Sequence, residues 1–133
     1  MAVTSGTVSN VSTIRSEALD PLQHALVLFT MSGTYAQADN SILSSVHTAI
    51  SNSRRNGKTV TLKNAACYQM ARKDSNAALM MGLKTVAIST NDITFEITES
   101  ATAGTVDLST ELANGTIPTQ IVPFGLIVGF TEA

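Results

Sequence analysis

The stretch Lys84-Thr85-Val86-Ala87-Ile88-Ser89-Thr90-Asn91-Asp92-Ile93-Thr94-Phe95-Glu96-Ile97-Thr98 sets the fold class. Val86 and Ile88 alternate with other residues, Asn91-Asp92 interrupts, and Ile93, Phe95 and Ile97 alternate again. A period of two puts every second side chain on one face, and a turn-forming break between two such runs signals a β-hairpin. The expectation is two strands, Lys84 to Thr90 and Ile93 to Thr98, around Asn91-Asp92.

Upstream, Lys58-Thr59-Val60-Thr61-Leu62-Lys63 alternates in the same way, so Val60 and Leu62 face inward on another half-buried strand. Before it comes the clearest helix. Ile42, Val46, Ala49 and Ile50 fall on one stripe, with Leu43 beside them, and Ser44, Ser45, Thr48, Ser51 and Asn52 on the other side. Asp39 is placed to cap it, Arg54 and Arg55 fall in its last turn where cations complement the helix dipole, and Asn56-Gly57 supplies a left-handed stop. Between 64 and 83 the run of Ala, Met and Tyr favours short helical pieces broken at Asp74-Ser75-Asn76.

Two apolar runs, Ala25-Leu26-Val27-Leu28-Phe29-Thr30 and Gly125-Leu126-Ile127-Val128-Gly129-Phe130-Thr131, suit central strands of one sheet. Pro123 argues for an edge or a bend at the start of the second. Residues 99–119 form a long Thr-, Gly- and Ala-rich connection with one short element around Val106 to Leu112. Residues 1–20 have no helical period and read as an extended N-terminal arm, ended where Pro21 restricts Asp20. The expected architecture is α+β: a single domain over 21–133, with a mixed, mainly antiparallel sheet, one amphipathic helix packed on it, and the arm.

Composition narrows the function classes. The chain has 133 residues, 44% hydrophobic and 14% charged, against about 25% charged in an ordinary soluble domain. Such a chain can fold, and its surface must be mostly hydroxyl, amide and small side chains. The apolar run Phe124 to Phe130 is far short of the ~20 residues of a spanning helix, and Met1 to Gly6 has no secretory pattern. A single Cys67 excludes an internal disulfide framework.

Net charge is −2, but it is unevenly spread. Seven of the eight basic residues lie between 54 and 84 against one acid, Asp74, which gives +6. From residue 85 onward there are six acids and no base, which gives −6. These blocks either pair inside one fold, the favoured reading, or steer a partner or a second copy.

Catalytic signatures are missing. His24, His47 and Cys67 are the only groups of the types a nucleophile and base pair would use, and Cys67 lacks flanking glycines. A small buried thiol and a partly covered helix histidine account for Cys67 and His47 better than a dyad does. Two His and one Cys lack the close-set pairs of a zinc site, and Asp39-Asn40-Ser41 lacks the further acids of an oxygen-ligand loop. Glu96 and Glu99 fit a solvated strand face better than an acid–base pair. Asn56-Gly57-Lys58-Thr59 misses the upstream glycine of a phosphate loop, since Asn52 stands there, and a helix leads into a strand. No metal or cofactor is expected. Arg54, Arg55, Lys58, Lys63, Arg72 and Lys73 could contact phosphates, but Tyr68 is the lone aromatic of that block, so nucleic acid is not the expected partner.

A small Thr-, Ser- and Ala-rich, tryptophan-free chain with an arm and a long loop suits a repeated structural subunit, because neighbours bury surface that so short a chain cannot bury alone. Three stretches carry a resemblance: Phe29-Thr30-Met31-Ser32-Gly33-Thr34-Tyr35, Asn52-Ser53-Arg54-Arg55-Asn56-Gly57-Lys58-Thr59-Val60-Thr61-Leu62, and Pro123-Phe124-Gly125-Leu126-Ile127-Val128. They resemble small virion proteins of tailed bacteriophages, and among these the head decoration, or cement, proteins. The resemblance implies a non-enzymatic protein made in the host cytoplasm that sits on the capsid surface. It would bind the major capsid protein and copies of itself, as a trimer or dimer, and stabilise the head against internal DNA pressure. A shell-building coat protein is usually much longer. The expected contact residues are Arg15, Arg54, Arg55, Lys58, Arg72 and Lys73, with the arm and the 99–119 loop. A tail, neck or fibre-base subunit ranks second; a small enzyme or a nucleic-acid-binding domain ranks behind both.

Overall fold

The computed structural model describes residues 3–14, 22–37, 44–55, 57–73, 80–100 and 110–133. It is mostly antiparallel β-sheet with one short helix. The strands are β1 (Val3–Ile14), β2 (Gln23–Tyr35), β3 (Val60–Gln69), β4 (Ala71–Lys73), β5 (Met80–Ile88), β6 (Ile93–Glu99), β7 (Thr110–Glu111), β8 (Gly115–Thr116), β9 (Gln120–Val122) and β10 (Phe124–Glu132). The helix α1 is Ser44–Arg54.

Two sheets form where one was expected. The first has the order β1-β2-β10-β3, with β8 pairing the end of β2; the second has the order β7-β6-β5-β4-β9. Every pairing among the described residues is antiparallel, so the mixed sheet is corrected to two antiparallel ones. The two long apolar runs are indeed neighbours at the centre of the first sheet, with Leu126 opposite Val27 and Phe124 opposite Phe29. The rings of Phe29 and Phe124 stack with centroids 5.7 Å apart.

One ribbon passes between the sheets. β3 pairs with β10 in the first sheet, and β4 pairs with β9 in the second. Met70 separates β3 from β4, and Pro123 separates β9 from β10. Both strands of the ribbon thus change sheet at one level. Pro123 lacks the N–H that an unbroken ladder would need there. The Gln69 side-chain amide donates to the Pro123 carbonyl at 3.0 Å and ties the two crossing points together.

The bend overturns the helical reading of 64–83. Ala65, Ala66 and Cys67 continue β3 opposite Val128, Ile127 and Leu126, and β5 resumes at Met80; residues 74–79 lie outside the described residues. Local helix preference of Ala is worth only tenths of a kcal/mol per residue, and ladder pairing against a buried central strand overrides it. The hairpin forms as β5 and β6, with β5 beginning at Met80, ahead of the expected Lys84. Met81 and Leu83 are buried while Val86 is 53% exposed. A register shift between Thr85 and Ala87 breaks the alternation there, as a bulge does.

Val46 and Ile50 of α1 are fully buried and join one core cluster with residues of both sheets, including Phe29, Leu83, Phe95, Ile97, Leu126 and Phe130. Asp39, expected as the cap, lies outside the described residues. The chain already turns left-handed at Arg55 (φ 50°), before Gly57 (φ 71°). Of the segment expected as an arm, Val3–Ile14 forms β1 along β2, with shifts between Val3 and Ser5 and between Val8 and Asn10. Within 99–119, residues 110–117 carry β7 and β8 and bury Leu112 and Ile117, and residues 101–109 lie outside the described residues.

Close approach explains two glycines of β10. A Cβ on Gly125 would meet Gln69 Cβ and the Tyr68 ring at 2.7 Å, and one on Gly129 would meet the Asn64 amide. The Asn64 Oδ1 instead accepts the Gly129 N–H at 3.1 Å. We expect Gly129→Ala to lower stability by about 1–3 kcal/mol, as overpacking does. Ile50→Asp should cost on the order of 4 kcal/mol or more, because it forces an unpaired charge into the core. Denaturant melts check both; an unchanged midpoint for Ile50→Asp would overturn the placement of the helix.

Candidate functional site

Most groups that could do chemistry are spent on holding the fold. The His47 Nε2 lies 2.8 Å from the Val60 carbonyl oxygen, which ties α1 to the start of β3. The Cys67 thiol donates to the Gln69 carbonyl at 3.3 Å. The two side chains weighed as a dyad are therefore engaged with different backbone carbonyls. Among the described residues, no group of three or more His, Cys, Asp or Glu is placed to hold a metal ion. No helix among them is long and apolar enough to cross a membrane.

The expected contact residues divide into three groups. Arg15 lies outside the described residues, and Lys73 is described only by its backbone in β4. Arg54 is engaged inside the fold: its Nε donates to Glu132 Oε1 at 2.6 Å, with side-chain exposures of 19% and 4%. The Gln23 amide donates to the same oxygen at 2.8 Å. Arg54 was expected to serve the helix dipole; the structure adds a specific carboxylate at the far end of the chain. Arg55 and Lys58 are exposed just beyond α1, and Arg72 is half-buried in β4, opposite Met80 and Val122.

Among the described residues, ion pairs of Arg54 with Glu132 and of Lys84 with Glu96, at 3.7 Å, join the basic block to the acidic one. The second joins directly opposed residues of β5 and β6. At these two places the opposed charges of the sequence meet within the chain. Glu96, considered beside Glu99 as a carboxylate pair, is thus partnered by a lysine.

A buried polar junction at Tyr35 has no counterpart in the sequence reading. The ring is fully buried at the end of β2. Its hydroxyl donates to Glu111 Oε1 at 2.7 Å and accepts the Ile97 N–H at 3.1 Å. One phenol therefore links β2, β6 and β7 across the two sheets. The following residues form a strap: Leu112 N–H donates to Ile97 O, the Gln37 N–H donates to Asn114 Oδ1 at 2.7 Å, and Ile117 N–H donates to Gly33 O. A lone Tyr after an apolar strand carries no periodic signal, so only the fold shows this role.

A cleft of about 420 Å³ opens where the end of β3 overhangs the β5–β6 hairpin. Cys67, Tyr68 and Met70 form one side; Gly82, Leu83, Lys84 and Thr98 form the other. Its size falls within the range of ligand and side-chain pockets. Tyr68 (44% exposed), Val86 and Ile121 (52%) are the exposed large hydrophobic residues of the described chain.

No protein-family model, no curated protein and no solved structure matches this chain.

Burial, and after it the bond to Glu111, holds the Tyr35 phenol well above its ordinary range, with the Ile97 N–H opposing in part. The sign follows. Above the ordinary value of 10.0 the unfolded chain releases this proton while the folded chain keeps it. Stability from this group is complete below pH 10 and declines as pH rises above it, by up to about 1.4 kcal/mol per pH unit. Tyr35→Phe should remove that decline and cost about 1–3 kcal/mol at neutral pH, since it strands the Ile97 N–H and the Glu111 carboxylate. Arg54→Ala should cost about 2–4 kcal/mol by leaving Glu132 covered and short of its cation. Denaturant midpoints measured across pH 7 to 11, on the order of the range in which phenols titrate, check all three.

Proposed function

We propose that this chain is a non-enzymatic virion subunit, a decoration or cement protein of a bacteriophage head, that grips the major capsid protein and copies of itself. The observation that carries the reading is the exposure of Tyr68, Val86 and Ile121 on a chain of 133 residues. Large apolar side chains left half in water are what a docking surface requires, with aromatic residues the most favoured anchors. The likeness of the three quoted stretches to small virion proteins supports the setting. His47 and Cys67, each engaged with a backbone carbonyl, sit more easily with an assembly part than with an active site.

In this reading Arg55, Lys58 and Arg72 contribute charge at the contact. Each contact is weak, and many copies on a repeating shell make it durable through avidity. Binding changes no covalent bond and stiffens the shell by bridging subunits.

The test is compositional. Particles purified from the virus that encodes the chain should contain it in many copies on the head, and heads made without the gene should rupture at lower osmotic stress and recover when the protein is added back. Particles that lack the chain, label confined to the tail, or turnover of a metabolite by the purified protein would each overturn the decoration reading.

A further inference from the structure

The cleft under the end of β3 has a defined chemistry. In the second sheet Met81 and Leu83 face the core, so the alternate residues Met80, Gly82 and Lys84 face away from it. Their direct partners, Arg72, Thr98 and Glu96, share that outward face. Gly82 is nevertheless buried, and it lines the cleft together with Cys67, Tyr68 and Met70. Glycine leaves the floor of the cleft bare. Tyr68, whose ring also lies against Gly125, and Met70 with its flexible thioether bring apolar surface to the lining.

Charge sits beside this slot. Lys84 lines it with a side chain 68% exposed, and Arg72 stands on the same face of the sheet. Glu96 is the acid of that face, and its 3.7 Å pair with Lys84 is a loose surface pair that an incoming carboxylate can replace. Val86 continues β5 beyond Lys84 as further exposed apolar surface. An occupant that satisfies all of these groups carries one bulky apolar side chain flanked by carboxylates, on an extended backbone.

We propose that this cleft docks an extended acidic segment of a partner protein, with one apolar side chain seated over Gly82 between Tyr68 and Met70 and the flanking carboxylates at Lys84 and Arg72. The inference deepens the assembly reading and rests on it, since it names the point at which the partner is held. The 420 Å³ space matches a single large side chain with part of its backbone rather than a broad interface. The contact is therefore weak singly, as a repeated contact can be.

The experiment uses the full chain and two synthetic probes: a short peptide of Asp and Glu around one Leu, and its counterpart with Lys replacing the acids. Saturable shifts of the Gly82, Leu83 and Thr98 amide signals are expected with the acidic peptide alone, together with slower alkylation of Cys67. Tyr68→Ala should weaken this binding by about tenfold or more. Lys84→Gln should weaken it by about threefold and reduce its salt dependence. Both residues are exposed, and unchanged melting of the variants confirms that the fold is kept. Equal binding of the Lys peptide, shifts confined to other residues, binding indifferent to Tyr68→Ala, or no binding of either probe would overturn the proposal. Particles that contain the chain while the acidic peptide fails would leave the decoration reading standing; peptide bound by a chain missing from particles would do the reverse.

Discussion

The two-stranded ribbon that bends at Met70 and Pro123 is the constraint on which the rest depends. It makes β3–β4 and β9–β10 one paired unit with a foot in each sheet. The first sheet is thereby forced against the second, and the side chains between them become one core. Pro123 can stand at the crossing because no ladder bond is asked of it, and the Gln69 amide holds its carbonyl. The same bend lifts the end of β3 over the hairpin and so makes the cleft. Fold and candidate site thus have a common cause.

A second link closes the other side of the molecule. The segment 110–117 pairs with β6 through β7 and with β2 through β8. Tyr35 stands where these meet and uses its one hydroxyl as both donor and acceptor. A phenol is suited to that position because its ring fills core volume while its tip satisfies two polar groups that would otherwise be buried unpaired. Arg54, Gln23 and Glu132 tie α1 to the starts and ends of the central strands in a similar way. Long-range polar ties of this kind suit a chain with few charges, since each one has a fixed partner.

What could be read from the sequence was what period reveals. Ile93, Phe95 and Ile97 alternate and are buried; Val60 and Leu62 alternate and are buried; Val46 and Ile50 lie on the helix stripe and are buried. The stretch from Ala65 to Met70 was misread because Ala has little side chain with which to mark a face, and its strand state is imposed by β10. The exposure of Val86 goes with a bulge, which shifts the phase of the strand without leaving a residue-type signature. The division into two sheets depends on a bend at a non-proline residue, Met70, matched with one at Pro123, and no single-strand pattern encodes that match. Of the site, Arg72 was singled out by charge. Tyr68 of β3 comes beside Gly82 and Lys84 of β5 only in the folded chain.

The charge asymmetry takes a different meaning in the folded chain. Read along the sequence, the blocks from 54 to 84 and from 85 onward suggest two opposed surfaces. The antiparallel topology interleaves them instead: β5 carries the last lysine of one block and β6 the first glutamate of the strand opposite it, and β10 returns its final acid to the helix that opens the basic block. Charge used in this way at these two pairs is local. In the proposed reading a partner is recognised at short range, by shape and by a few groups. That places the weight of recognition on half-exposed apolar side chains such as Tyr68, with the remaining cations setting the orientation of what docks there.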